Sequence, residues 1–245
     1  MSRYEMLDRA RHRQLRVRTG YGAALGDAVM SVMTYPMEFR DIQGCYPILF
    51  TKDPNTGGFV AVAMLGLEAG QNLFLQDTHW DATYVPVMVQ RQPFLIATSG
   101  EGDEKPPVVS LDLDHPRVSQ DEGEALFDDA GEPSEFLKRK IGLLDKLHRG
   151  LQHGSGFIEA LLKHQLLVQV VLDLAFADGG KKTLQGFYCI AEERLYQLKG
   201  DVLESLNEAG YLQPVFMAVA SLSRVRDLIE RRNRLRPQPE ARVTP

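Results

Sequence analysis

The stretch YPILFT, from Tyr46 to Thr51, decides the fold class because it starts a series of short apolar segments separated by turns. It is followed by the turn-forming cluster Asp53-Pro54-Asn55-Thr56-Gly57-Gly58 and by a second apolar segment, Phe59 to Leu67. Two such segments joined by a turn predict a β-hairpin. Asn72 to Gln76, which follows the turn Glu68-Ala69-Gly70-Gln71, predicts another short strand, so we expect an antiparallel sheet.

The strand signal continues as far as residue 113. Tyr84 to Val89 and Pro93 to Ala97 are rich in strand-forming residues, although their prolines lack a ladder donor and fit best at strand ends or edges. Residues 99–107 are rich in glycine, acids and proline, which predicts an exposed loop. Val108 to Leu113 predicts one more strand.

After Ser134 the apolar residues take up the spacing of a helix, and we expect Ser134 to be the N-cap. Apolar residues recur every three or four positions from Leu137 to Leu151, which places an apolar stripe on one side of a helix. The sequence His153-Gly154-Ser155-Gly156 predicts a break, with Ser155 as the cap of a second helix from Phe157.

A second hairpin is predicted beyond these helices. Residues 170–176 alternate with period two, Asp178 to Lys182 forms a turn, and Leu184 to Ile190 returns. Asp201 followed by Glu204 resembles a capping box that opens another helix.

The remaining elements are assigned from local signals. Ala191 to Leu198 predicts a short helix, and Gly210 predicts the end of a longer one. Tyr211 to Ala220 is compatible with a strand or a buried helix. Val225 to Leu235 has helical spacing, and we expect residues 237–245 to form a disordered tail.

Together these elements predict an α+β protein, in which an antiparallel β-rich N-terminal half packs with a helical C-terminal half that contains the second β-hairpin. The predicted divisions are an N-terminal arm (1–28), a β-rich part (29–133), a helix-plus-hairpin part (134–236) and the tail (237–245). A single integrated domain is the alternative. The chain has no βαβ alternation, so a Rossmann-type nucleotide platform is not expected.

The charge distribution limits the classes of partner. A net charge of -5 argues against nucleic acid, because phosphate binding requires a concentrated basic surface. Arginines nevertheless crowd residues 3–18 and 224–236, while acids crowd residues 101–135. We expect these charges to form solvated faces, and the alternative is that the basic ends dock an acidic partner.

Cysteine content and hydropathy argue against a metal site and a membrane span. Cys45 and Cys189 are the only cysteines and lie in no ligand-spaced cluster, so we expect no zinc, no cofactor and no disulfide. No apolar run approaches the roughly 20 residues that span a bilayer, and the start lacks a secretory signal. We therefore expect a cytoplasmic protein.

No familiar catalytic motif occurs. The chain contains neither GxSxG nor GxxxxGK[ST]. The most suggestive acid/base set is Asp112, Asp114 and His115, with Glu38 as a further member, because alternate strand positions share a face. The alternative interpretation is a polar strand end that enters an acidic loop.

The best candidate for a binding site surrounds the single tryptophan, Trp80. His79, Tyr84, Arg91 and Phe94 accompany it in sequence, and aromatic faces with one guanidinium could hold a peptide or a flat ligand. The alternative interpretation is a sheet core with a buried corner.

The order of several short motifs resembles that of the SapC family of bacterial proteins. These motifs are His12-Arg13-Gln14-Leu15-Arg16-Val17, Glu38-Phe39, Tyr46-Pro47-Ile48-Leu49-Phe50, Leu65-Gly66-Leu67, Asn72-Leu73-Phe74, Trp80, Tyr84-Val85-Pro86, Pro93-Phe94, Leu126-Phe127-Asp128, Gly131, Leu184-Gln185-Gly186-Phe187-Tyr188, Glu193, Leu195 and Ser221-Leu222. The resemblance covers most of the chain. One departure is Gln90-Arg91-Gln92, which stands where the family often has two arginines and a tyrosine before Pro-Phe.

The resemblance implies an accessory role rather than a defined reaction, because many such proteins are encoded beside TonB-dependent receptors and flavin-dependent tryptophan-halogenase-like proteins. Our first hypothesis is therefore a non-catalytic binding protein that acts with a protein or peptide partner in a bacterial surface, TonB-dependent uptake or peptide-modification locus. The second is an enzyme whose carboxylate and histidine site lies in a cleft near Trp80. The third is a homodimer formed through a sheet edge or the last helix.

Overall fold

The computed structural model describes residues 3–98 and 107–235. Strands are β1 (Tyr4–Met6), β2 (Arg16–Val17), β3 (Ser31–Met33), β4 (Ile48–Lys52), β5 (Phe59–Met64), β6 (Leu75–Gln76), β7 (His79–Trp80), β8 (Phe94–Thr98), β9 (Pro107–Asp112), β10 (Val118–Ser119), β11 (Glu124–Ala125), β12 (Leu167–Ala175) and β13 (Lys181–Ile190). Helices are α1 (Phe39–Ile42), α2 (Val87–Gln90), α3 (Glu135–Lys163), α4 (Glu192–Tyr196), α5 (Gly200–Glu208), α6 (Leu212–Ser221) and α7 (Val225–Leu235). Helix accounts for 36% and strand for 26% of the structure. All strand pairs among the described residues are antiparallel, and the C-terminal part is helical. These proportions confirm the α+β class. The predicted loop at 99–107, except Pro107, and the predicted tail at 237–245 lie outside the described residues.

The chain divides into two compact units whose segments alternate along the sequence. Unit 1 comprises residues 1–28, 75–80 and 87–152, and unit 2 comprises residues 29–74, 81–86 and 153–245. The division at residue 152 falls inside α3. The domain boundaries predicted from the sequence stay predictions.

The described residues of unit 1 form three small sheets. Their strand orders are β1-β9-β8, β10-β2-β11 and β6-β7. In the first sheet Glu5 lies opposite Leu111, and Phe94 lies opposite Leu111 on the other side. Gly123, with φ at +100°, lets the chain approach β2 closely, because a Cβ there would lie 2.2 Å from the Val17 carbonyl oxygen. The buried apolar residues of this unit include Val17, Trp80, Val89, Phe94, Leu111, Leu126, Phe136, Leu137 and Leu144.

Unit 2 is built on one five-stranded sheet of order β12-β13-β4-β5-β3. The predicted hairpin of β4 and β5 is confirmed, and Asp53 closes its turn by accepting backbone N–H bonds from Asn55 and Thr56 at 2.8 and 2.9 Å. The second predicted hairpin, of β12 and β13, is also confirmed. The buried apolar residues of this unit include Phe39, Ile42, Tyr46, Ile48, Phe50, Phe74, Phe157, Leu161 and Val215.

Two helix signals are confirmed. Ser134 caps α3, because the Leu137 backbone N–H donates to Ser134 Oγ at 3.2 Å. Gly210 follows α5 with φ at +73° and donates its N–H to the Asn207 carbonyl, as a glycine beyond a helix end does. The ambiguous segment that begins at Tyr211 is the helix α6.

The predicted break at His153-Gly154-Ser155-Gly156 is wrong, because α3 runs through it without interruption. Tertiary packing explains the two glycines. A Cβ at Gly156 would lie 2.4 Å from Tyr211 Oη, and one at Gly154 would lie 3.3 Å from the Tyr35 ring. The missing side chains therefore let neighbouring rings approach the helix, which offsets the low helix propensity of glycine.

Two further local predictions are wrong. The predicted strand from Tyr84 to Val89 is instead a segment without regular secondary structure, 84–86, followed by the single helical turn α2, which the hydrogen bond from Arg91 N–H to the Val87 carbonyl closes. Pro86 precedes α2, and proline is compatible with the start of a helix. The capping box at Asp201 is not formed, since α5 begins one residue earlier with Lys199 as N-cap and without a side-chain cap.

Candidate binding site

Trp80 lies at the end of β7 in unit 1 and is 7% exposed. Its ring makes an edge-to-face contact with Tyr21, with 5.5 Å between the ring centroids. The neighbouring His79 is exposed. The Trp80 ring is thus buried against the half-buried Tyr21, and its role in binding stays a prediction.

Arg91 and Phe94 lie in the same unit and are joined by a backbone contact. Arg91 Nη1 donates to the Phe94 carbonyl at 2.7 Å, and Arg91 Nε contacts Met88 Sδ at 3.3 Å. The Phe94 ring is fully buried, with its centroid 6.3 Å from that of Phe136. These contacts fix the turn between α2 and β8.

Tyr84 belongs to unit 2, where it meets a member of the predicted acid/base set. Its hydroxyl donates to Glu38 Oε1 at 2.9 Å, and Thr34 Oγ1 donates to Glu38 Oε2 at 2.7 Å. Glu38 is 5% exposed, so its carboxylate is held by two hydroxyl groups in the interior. Burial and the adjacent Glu38 raise the pKa of Tyr84, which keeps its phenol protonated as a donor.

Asp112, Asp114 and His115 lie together in unit 1, at the turn after β9. The Asp114 N–H donates to Asp112 Oδ1 at 3.2 Å, and the Arg117 N–H donates to His115 Nδ1 at 3.2 Å. Burial, followed by the charge of Arg117, lowers the pKa of His115. These contacts organise a turn. Within residues 3–98 and 107–235 no group of three or more His, Cys, Asp or Glu side chains is placed to hold a metal ion.

The open edge of strand β1 is a site that the sequence signals did not single out. Leu113 N–H donates to the Arg3 carbonyl and Leu7 N–H donates to the Val109 carbonyl, both at 2.9 Å, so the odd-numbered residues bond to β9. Because this direction alternates along an antiparallel strand, Tyr4 and Met6 turn their N–H and C=O groups to the other side. That side is the edge of the sheet.

The side chains on this edge are apolar and exposed. Tyr4 is 58% exposed and Met6 is 60% exposed, whereas Ser110, opposite Met6, is buried and donates to the Glu5 carbonyl at 2.9 Å. A strand edge with exposed apolar side chains is a template for pairing with another extended chain.

Two surface cavities border β1. One, of about 590 Å³, is lined by Glu5, Met6, Leu7, Asp8, Arg11, Val108 and Val109. The other, of about 420 Å³, is lined by Arg3, Glu5, Arg11, His12, Leu15, Leu113, Val118, Ser119 and Gln120. We call β1 with these two cavities the β1 groove.

The charges that line the smaller cavity are unequal, whereas in the larger cavity Arg11 meets two acids, Glu5 and Asp8. Arg11 and Arg3 approach the same carboxylate, Glu5, at 3.8 and 4.0 Å, and their side chains are 76% and 65% exposed. The buried His12 accepts the Asp8 N–H at Nδ1 and places Nε2 3.5 Å from Glu5. Two exposed guanidinium groups that share one carboxylate leave the smaller cavity able to take a further acid.

Only the arginine-rich start of the sequence pointed toward this groove. It predicted basic charge, but the pairing of β1 with β9 joins residues about a hundred positions apart and has no local signal. A three-residue strand is also too short for a period-two pattern to identify.

The fold is that of an α+β protein with antiparallel sheets, in which the edge strand β1 lies beside two surface cavities. The model of the SapC family matches residues 7–228, so the chain belongs to the SapC family. The match includes the cavity residues from Leu7 onward, and β1 precedes it. Neither the curated proteins nor the solved structures include a match to this chain. None of the helices in the described ranges combines the length and the apolar character that crossing a membrane requires.

Proposed function

We propose that this SapC-family protein is a non-catalytic binding protein that acts with a protein partner and holds an extended, acidic segment of that partner along β1. The observation that carries the proposal is the edge position of β1, where Tyr4 and Met6 are exposed and turn their backbone groups away from β9. Addition of a strand to a sheet edge is a recurrent mode of peptide recognition, in which backbone hydrogen bonds give affinity and pockets give specificity.

The groove chemistry supports an acidic segment with an apolar residue. Val108, Val109 and Met6 offer apolar surface in the larger cavity. Arg3 and Arg11 border the smaller one, where a carboxylate side chain would be the complementary group. Because successive side chains of a strand alternate between faces, an acidic and an apolar residue next to each other fit this arrangement.

The setting of this binding role is an accessory function in the cytoplasm, within a bacterial surface, TonB-dependent uptake or peptide-modification locus. It is supported by membership of the SapC family and by what the resemblance to that family implies. An enzyme with a carboxylate and histidine site near Trp80 stays an alternative prediction, which turnover of any substrate by the purified protein would support.

The proposal is tested by site-specific photocrosslinking in cells. A photoreactive phenylalanine at position 4 should crosslink to a partner segment, which mass spectrometry then sequences. Met6→Pro should reduce the yield about tenfold or more, because it removes an edge N–H that β9 does not use. Met6→Leu, which keeps that N–H, should crosslink as the parent does. The double variant R3E/R11E should also lose the crosslink.

The control position is Tyr196, an exposed residue of unit 2 that is 75% exposed. Equal crosslinking at positions 4 and 196, or crosslinking at position 4 that Met6→Pro leaves unchanged, would contradict strand addition. A crosslink to a second copy of this chain would replace the partner with a homodimer.

A further inference from the structure

The five-stranded sheet of unit 2 ends, among the described residues, in the nine-residue strand β12. The strand at its other edge, β3, has only three residues, all half-buried. Along β12 a single residue, Asp173, is charged, and two valines, Val168 and Val171, are 47% and 50% exposed. Proteins usually keep edge strands short or charged, because an open edge is a template for another strand. The length and the nearly neutral sequence of β12 therefore suit it to pairing.

The backbone groups of the odd-numbered residues of β12 point away from its own sheet. The Leu166 carbonyl, just before the strand, accepts the Ala191 N–H, and the Phe176 N–H, just after it, donates to the Gly180 carbonyl, both at 2.9 Å. The irregularity in the pairing with β13 adds its extra residue to β13, so β12 keeps its alternation. Even-numbered residues thus bond to β13, and odd-numbered residues direct their N–H and C=O groups to the edge.

A second copy of β12 complements this edge in one register. A two-fold axis at Val171, the central residue of the nine, lets two antiparallel copies pair along their full length. Gln169 of each copy then lies opposite Asp173 of the other. An axis one residue to either side would set Asp173 opposite an apolar residue, Leu167 or Val171. An axis at Asp173 itself would set the two carboxylates opposite each other, which is unfavourable.

The side chains that meet in this register are complementary. Asp173 Oδ1 accepts the Thr183 hydroxyl at 2.6 Å, and the Gln169 amide of the second copy would supply a donor to Oδ2. Gln169 and Asp173 are both exposed, so the amide is able to turn its nitrogen toward the carboxylate. On the other face of the strand, the even-numbered residues from Val168 to Leu174 would each lie opposite an apolar residue.

We propose that this protein forms a symmetric homodimer through β12, in which the five-stranded sheets of two copies join into one continuous sheet. The interface is isologous, so the Gln169–Asp173 contact occurs twice. β12 belongs to unit 2, whereas β1 belongs to unit 1. The homodimer is therefore independent of the partner proposed for the β1 groove.

Analytical ultracentrifugation of the full chain measures the Kd of the dimer. At about 100 μM the parent should sediment with the mass of two copies, and dilution should release the monomer. Gln169→Glu places an acid opposite Asp173 at both contacts, so it should raise the Kd about tenfold or more. The double variant Q169E/D173K restores opposite charges there and should recover the parent Kd. Gln213→Glu, the same change at an exposed residue of α6, is the matched control and should dimerise as the parent does.

A cysteine at the axis tests the register. In Val171→Cys the two Cα atoms would lie about 5.5 Å apart, within the range of a disulfide, so mild oxidation should link two copies. Mass spectrometry of the linked peptide separates this bond from bonds of Cys45 or Cys189. Ala175→Cys is the control, because in this register the two copies of that residue lie about 27 Å apart.

Three results would overturn the proposal. The first is a monomer at about 100 μM of the parent protein. The second is a dimer whose Kd is the same in Gln169→Glu as in Gln213→Glu, because another surface would then hold it. The third is linkage at position 175 that equals or exceeds linkage at position 171.

Discussion

Two buried acids, Asp27 in unit 1 and Glu38 in unit 2, are held in different ways. Asp27 is 1% exposed and receives the Arg117 guanidinium together with the Gly22 N–H. Glu38 is 5% exposed and receives the hydroxyl groups of Thr34 and Tyr84. A guanidinium thus contacts the first acid, and two hydroxyl groups contact the second.

The difference lies in the number of N–H or O–H donors that each arrangement must satisfy. A guanidinium has five N–H donors in a fixed fork, so orienting it on one carboxylate leaves donors to be met elsewhere. In unit 1 the Arg117 Nε–H remains unmet within the described residues. A hydroxyl has one proton, and in unit 2 Thr34 and Tyr84 donate theirs to Glu38. The first arrangement leaves a buried donor unsatisfied within the described residues, whereas the second uses both hydroxyl protons.

The largest effect is expected from Arg117→Met. This change leaves the buried Asp27 carboxylate without its cation, and breaking a buried ion pair from one side costs about 3–5 kcal/mol. Urea unfolding followed by the fluorescence of Trp80, the only tryptophan, reports on this unit. Arg149→Met is the control, since its exposed i,i+4 pair with Asp145 should contribute under about 1 kcal/mol. Equal losses in the two variants would contradict a buried pair.

A smaller effect is expected from Tyr84→Phe in unit 2. The variant removes the phenol that donates to Glu38, and a hydrogen bond to a charged group is worth about 1.5–3 kcal/mol. Tyr4→Phe is the control because that side chain is 58% exposed, and its effect should stay within about 0.5 kcal/mol. Urea unfolding followed by circular dichroism measures both. A loss in Tyr84→Phe as small as that of the control would show that Glu38 does not depend on this donor.

Lys140 should make stability depend on pH in the opposite sense to a favourable ion pair. Its folded pKa of about 8 lies below its ordinary value of 10.5, so the folded state disfavours the charged form. This cost is fully present below pH 8 and fades as pH rises from 8 through 10.5, above which the lysine is neutral in both states. Lys140→Met should therefore be more stable than the parent by about 1–3 kcal/mol at pH 7, and this gain should shrink between pH 8 and 10.5. Urea unfolding of both proteins at pH 7 and at pH 10.5 measures the difference. A gain in stability that is equal at the two pH values would contradict a depressed pKa of Lys140.

Local sequence signals predicted those parts of the fold that local chemistry determines. Three such features depend on one residue that acts within a few positions of itself. They are the turn at Asp53, the N-cap of α3 at Ser134 and the end of α5 before Gly210. The turn signals between apolar segments likewise identified β4 and β5, and the period-two segment at 170–176 with the turn after it identified the hairpin of β12 and β13.

The clusters of polar side chains could not be predicted in the same way. Asp27 and Arg117 are 90 residues apart, and Glu38 and Tyr84 are 46 apart, so no spacing rule connects them. The sequence placed Tyr84 with Trp80 and placed Glu38 with Asp112, whereas the fold brings Tyr84 to Glu38. The family resemblance marks Gln90-Arg91-Gln92 as a departure, but only the fold places Gln92 beside Arg117 and Lys140 on one small cavity.

The smallest effects concern two glycines of α3, one in each unit. A Cβ at Gly142 would meet nothing within 4 Å, so Gly142→Ala should stabilise the protein by about 1 kcal/mol through helix propensity. A Cβ at Gly156 would lie 2.4 Å from Tyr211 Oη, so Gly156→Ala should fall at least about 1 kcal/mol short of that gain.

The cause of this shortfall is tested in a Tyr211→Phe background. Removing Oη leaves the ring carbon Cζ at 3.5 Å as the nearest of the Tyr211 contacts to the added Cβ, which is ordinary van der Waals distance. In that background Gly156→Ala should recover most of the gain seen at Gly142, as measured by urea unfolding. If the shortfall persists without the hydroxyl, the glycine is required by something other than the approach of Tyr211, and the packing explanation for the uninterrupted helix would be wrong.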